Sequence, residues 1–253
     1  MPGCGKSSGS PNTANSAAAL PPEVSSTPPY PTREPDTYQA RYVTSVDLGG
    51  AASPLSAAIS AMKKEIFVAR DGAQRRQDFE LVPGIKTSYL QISQGQFVLL
   101  PAKRIYAALD SQTKAIPAEA SAGFSPDRLM NDRVEGSRYE KLGVENVGGR
   151  STTKYRLTSA SLGGGERESQ SETLVWVDES LHMPVKWEMT SKSKSGDQSR
   201  YTVVVEDIQP TVSADVFQIP TDFKKVDYKE LRAQAFGASP PGGSPGASPS
   251  SQP

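Results

Sequence analysis

Histidine and cysteine are almost missing from this chain, with one of each in 253 residues. A lone cysteine, Cys4, permits no intrachain disulfide. Together with His182 it also leaves too few ligands for a dedicated zinc site, which draws on several such residues. Long apolar runs are missing too. No stretch of about 18 apolar residues is present, so no transmembrane helix is expected. The apolar core of a secretory leader is likewise absent. Charge of one sign is not in excess: Lys+Arg and Asp+Glu are both 28. Nucleic-acid binders carry a basic excess or stripe, so no nucleic-acid partner is expected. The pairs Lys63-Lys64 and Arg75-Arg76 read as solvated faces.

A catalytic constellation is also lacking. Gly5-Lys6-Ser7 has neither the first glycine of a phosphate loop nor a strand before it. Gly5-Lys6-Ser7-Ser8-Gly9 matches a nucleophile elbow by letter only, because that motif needs a strand-to-helix turn. His182 and Asp178 are close in sequence, but no positioned serine accompanies them, so His182 reads as a hairpin-turn residue. Glu166, Glu168 and Glu172 lie at a glycine-rich loop and read as solvated charge rather than paired carboxylates. The expectation is a protein that does no chemistry and takes no cofactor.

What remains is a strong strand pattern between two unpatterned tails. Residues 1–36 are rich in proline, serine and alanine, and residues 237–253 in proline, glycine and serine. Neither buries enough apolar surface to offset its ordering entropy, so both are expected to be disordered. Residues 37–236 form the expected domain. In Tyr38–Leu48, Tyr38, Ala40, Tyr42, Thr44, Val46 and Leu48 share one face. A meander follows, its short runs separated by Asp71-Gly72, Pro83-Gly84, Gln94-Gly95 and Pro101-Ala102. Residues 49–64 read as a loop with a possible helical turn. Ser125-Pro126 opens a helix to about Glu135, with Leu129 and Met130 on one side. Strands resume at Tyr139–Val147, Thr152–Ser159, Glu172–Asp178, Met183–Thr190 and Arg200–Ile208, and residues 227–236 close as a helix or turn.

In the hairpin about Asp178–His182, Val175, Val177, Met183, Val185, Trp187 and Met189 share the inward face. Leu174, Trp176, Lys186 and Glu188 take the other, where Trp176 reads as surface or rim packing. The fold class is therefore mainly β, an antiparallel sheet with one wet face.

Three segments, VGGRSTTKYRL (147–157), LVWVDESLHMPVKWEM (174–189) and ADVFQIPTDFKKV (214–226), occur with IFVARDGAQRRQDFE and QGQFVLLPAKRIYAALD upstream. Together they resemble the outer-membrane lipoprotein carrier superfamily, which includes LolA and LolB. The resemblance covers about Tyr38 to Val226. It implies a strongly curved antiparallel half-barrel of about eleven strands, with one to three short helices on its concave side. It also implies an apolar cavity for acyl chains, and hence a lipid or an acylated protein as partner. Leu90, Leu99, Val175, Val185 and Trp187 are candidates for that cavity, with ordinary core as their other reading. Leu129 and Met130 are candidates for its gate, or for simple packing on the sheet. Gly3-Cys4-Gly5 before a long Ser/Pro tether resembles a bacterial lipoprotein just after its cleavage point, with Cys4 the acylated residue; the other reading is a free thiol. These expectations place a monomer on the periplasmic side of a bacterial envelope, possible membrane anchoring being through Cys4. A second reading keeps the fold but fills the core, leaving a tethered structural or sensing lipoprotein.

Overall fold

In a computed structural model, residues 23–30, 34–49, 64–82, 84–109, 138–158, 170–192 and 198–236 are described. They build one large sheet. Its strands are β1 (Val24–Ser25), β2 (Thr37–Asp47), β3 (Lys64–Asp71), β4 (Gln74–Val82), β5 (Ile85–Ile92), β6 (Gly95–Leu100) and β7 (Ile105–Leu109). The second half supplies β8 (Arg138–Val147), β9 (Arg150–Thr158), β10 (Gln170–Asp178), β11 (Met183–Lys192), β12 (Gln198–Gln209) and β13 (Lys224–Lys225). A single α-helix, α1 (Tyr228–Phe236), is present among the described residues. The order across the sheet is β1-β8-β9-β10-β11-β12-β2-β3-β4-β5-β6-β7-β13. The eleven long strands β2–β12 pair antiparallel, and the sheet curves into the expected half-barrel. Two short edge strands, β1 and β13, extend it.

Local chemistry explains the turns. Gly148 and Gly149 join β8 to β9 with φ of 56° and 81°. A two-residue loop with both φ positive is the type I′ turn, which suits the twist of a hairpin. Gly72 (φ 57°) turns β3 into β4. At Pro101–Lys103 a 3₁₀ turn replaces a tight hairpin, so β7 starts two residues later than the pattern suggests. Asp227 accepts the amide of Glu230 at 2.7 Å and caps α1.

Register assigns the two faces. Trp187 pairs with Val175 and Val203, Val205 with Tyr42, and Ala40 with Val68, so these residues share one face. Continuing through Gln77 and Tyr89, that face reaches Val98. We call it the Trp187 face. Its far end is covered by α1, whose Leu231 and Ala235 pack on Val98, Leu100, Ile105 and Ala107. The opposite face carries Phe67, Ala69, Leu90, Leu99 and Tyr106. Residues 212–223 lie across it and bury Phe217 there. The chain then rounds the β7 edge, where Lys224 and Val226 donate to the carbonyls of Arg104 and Tyr106 at 2.9 Å. It finishes as α1 on the Trp187 face. A single layer of strands thus buries apolar residues on both sides.

Val24 and Ser25 pair with β8, and Glu34 is 1% exposed. Cys4, the helix expected at 125–135 with Leu129 and Met130, most of the 49–64 segment, and Glu166 and Glu168 lie outside the described residues.

Candidate functional site

The Trp187 face carries the apolar set that the hairpin pattern points to. Val175, Val177, Met183, Val185 and Trp187 are buried and packed with Tyr38, Tyr42, Tyr155, Val203 and Val205. Met189 corrects that pattern. It is two residues beyond Trp187 and has the same parity, yet 46% of it is exposed. It lies toward the end of the strand, where the packed cluster stops.

Trp176 also differs from expectation. It points to the opposite face, as its parity requires, but is only 3% exposed. Its cover is charged. Lys154 and Lys186, its register partners on β9 and β11, hold their Nζ atoms 4.8 and 4.1 Å from the ring centroid. Its indole Nε1 donates to Glu145 at 2.7 Å, and Lys154 donates to the same carboxylate at 2.8 Å. These hydrogen bonds, that of Lys154 first, hold the Glu145 carboxyl below its ordinary range. A cation held over an indole face is attracted by the ring quadrupole.

The sequence candidates divide between the faces. Val175, Val185 and Trp187 are together on the Trp187 face. Leu90 and Leu99 are buried on the other, against Phe217.

The Trp187 face also holds a polar centre that sequence reasoning missed. Glu34 is buried just before β2. Its Oε1 accepts from the Tyr38 hydroxyl at 2.5 Å, and Tyr38 shares a 3.0 Å contact with the Tyr42 hydroxyl. Its Oε2 accepts from Arg75, and from Arg70 Nη1 at 3.4 Å. Arg70 also donates to the Glu34 carbonyl at 3.0 Å and to Asp36 at 3.3 Å. Arg75 is therefore not a solvated charge, and neither is Arg76, which bonds Asp78 at 2.8 Å and the Val216 carbonyl at 3.0 Å. Burial pushes the Tyr42 phenol well above its ordinary value, against the opposing hydrogen bond of Tyr38.

Tyr30 belongs to the same arrangement. Its ring stands edge-on to Tyr139 at 6.0 Å and tilts against Tyr155 at 5.5 Å. Burial raises its phenol strongly, and the neighbouring phenols of Tyr139 and Tyr155 add to the shift. From β1 to β2 the chain must pass β8, β9, β10, β11 and β12. On that route Tyr30 and Glu34 both touch residues of the Trp187 face. Among the described residues, this strap, with Leu181 from the hairpin turn, is what lies over that half of the sheet.

A separate cleft of about 430 Å3 opens between hairpin ends, lined by residues including Val144, Arg150, Thr152, Thr153, Asp178 and Ser180. Its groups are already engaged. Asp178 accepts from the Ser180 amide and hydroxyl, the Leu181 amide and Arg150. Burial pushes its carboxyl upward, but these bonds outweigh that and hold it below the ordinary range. Thr153 donates to Glu179 at 2.5 Å. His182 sits exposed in the turn with φ of 52°. The turn, not an acid–base pair, is what Asp178 organises.

No family model matches the chain, and no curated protein does. Solved structures similar to it include three from bacteria. LprF of Mycobacterium bovis is 11% identical with a TM-score of 0.39, over 74% of this chain and 90% of that one. The lipoprotein LppX of Mycobacterium tuberculosis is 15% identical with a TM-score of 0.37, over 70% and 89%. A LolA superfamily protein of Nitrosomonas europaea is 13% identical with a TM-score of 0.29, over 72% and 90%. At such identities and TM-scores, the half-barrel assignment rests on this chain's own strand order and register.

Proposed function

We propose that the protein is a cell-envelope binding protein that shelters the acyl chains of a lipid or of an acylated protein on its Trp187 face, without chemistry. One observation carries this reading. The apolar half-face around Val185, Trp187 and Val203 is overlaid, among the described residues, by an irregular strap rather than by a second layer. Layered folds normally bury such a face beneath a helix or sheet. Acyl chains suit it because each methylene taken from water contributes about 0.8 kcal/mol without directional contacts. Acylation of Cys4 would tether the domain to the periplasmic side of a membrane as a monomer. The tether residues then set its reach.

The second reading, a tethered scaffold or sensor with a filled core, draws on a different observation. Val175, Val185 and Trp187 are buried among the protein's own side chains. Native mass spectrometry of protein purified from a membrane-containing host separates the two. A co-purifying lipid that is lost in Trp187→Glu, with the fold kept by circular dichroism, is the expected result. A bare mass, with no uptake of a fluorescent fatty acid, would support the scaffold and sink the binding reading.

A further inference from the structure

We propose that residues 23–30 and 34–36 are parts of a displaceable strap, in which Glu34 occupies in cis the headgroup site of an anionic acyl-chain ligand. The inference deepens the binding function proposed above and rests on it.

Three observations converge. The first is topological. β1 lies beside β8 at one edge, whereas β2 lies beyond β12, so the chain between Ser25 and Thr37 spans five strands. Apart from the two-residue β1, the described part of this crossing adds no rung to the sheet. The second is where it touches down. Tyr30 packs on Tyr139 and Tyr155, which share the face of Val175 and Trp187. The third is chemical. Glu34 presents a carboxylate to two guanidinium groups and a phenol, at the border of that apolar cluster. Its side chain has no exposed surface, while those of Arg70 and Arg75 are about one-fifth exposed.

A carboxylate among arginines beside an aromatic and aliphatic face has the polarity pattern of a fatty acid or an acidic lipid. Guanidinium groups recognise planar oxyanions by paired N–H donors, whether the oxyanion belongs to a side chain or to a ligand. If Glu34 left, the charge of the arginines would lose a buried partner. An incoming anion would restore it, and a neutral headgroup would not. Withdrawal of Tyr30 with the strap would uncover the tyrosines it covers. Binding and strap release are then two sides of one exchange, and any pull on the N-terminal tether favours the open side.

The test uses the full chain and Glu34→Gln with two probes of equal chain length, cis-parinaric acid and its methyl ester. The variant should bind the acid about five-fold or more tightly than wild type. The ester should gain much less. Adding Arg75→Gln should abolish the gain for the acid. Equal affinities of wild type and folded Glu34→Gln for the acid would overturn the strap but leave lipid binding standing. Equal gains for acid and ester would overturn the headgroup site. No binding of either probe to either protein would overturn the strap and the binding function together. Hydrogen exchange on wild type gives a readout that does not depend on the variant folding. Saturating acid should deprotect backbone amides of residues 23–30 and 34–36, and unchanged or increased protection there would reject displacement.

Discussion

At the residue scale, Glu34 is the side chain whose partners matter most. A buried carboxylate is tolerated only when paired and hydrogen-bonded, and removing one partner leaves the penalty behind. The two tyrosines whose hydroxyls lead away from it should therefore differ. Tyr38→Phe removes a donor to a charged group and should lower stability by about 1.5–3 kcal/mol. Tyr42→Phe removes a bond between neutral phenols and should cost about 0.5–1.5 kcal/mol. Urea unfolding of the two variants checks the order; a larger loss for Tyr42→Phe would contradict this account. None of this was legible in sequence. Glu34 sits in a proline-rich tract without periodicity, and its arginines are 36 and 41 residues away. Trp187 and Val185, by contrast, were legible because a period of two marks them directly.

At the element scale, the segment 212–223 does for one face what the strap does for the other. Phe217 fills the space over Ala69, Leu90 and Leu99. Arg76 Nη1 ties the segment down through the Val216 carbonyl. Phe217→Ala should cost about 3–5 kcal/mol, the usual range for a buried aromatic truncated to a methyl group. A loss of unfolding free energy below about 1 kcal/mol in urea would show that the segment is dispensable packing. This role also explains why the sequence alone does not separate Leu90 and Leu99 from Trp187. In β5, Thr87, Ser88, Tyr89 and Leu90 are all buried. A strand covered on both sides gives no alternation to tell one face from the other.

At the scale of the whole molecule, the pH profile should be bounded by different groups on each side. Tyr30 and Tyr42 have phenols raised by burial. Their contribution is complete below about pH 10, the ordinary phenol value, and declines as pH rises beyond it toward the folded values. Asp178 has a lowered carboxyl. Its contribution is complete above about pH 4 and is lost as pH falls through the folded value. Denaturation followed against pH should show both limbs. Tyr30→Phe should flatten the alkaline limb and Asp178→Asn the acid one. An alkaline limb unchanged in Tyr30→Phe would place that titration elsewhere.

The amino-acid sequence by itself determined the strands, most turns and the inward set of the β10–β11 hairpin, Met189 apart. These depend on alternation, on Gly, Pro and Asp at fixed offsets, and on neighbours in the chain. Only tertiary structure decided that Leu90 and Trp187 face opposite ways, that lysines roof Trp176, and that the N-terminal segment crosses the sheet to bury Glu34. Each of these depends on pairing between distant strands, and a register summed over many strands leaves no mark on any short stretch of chain.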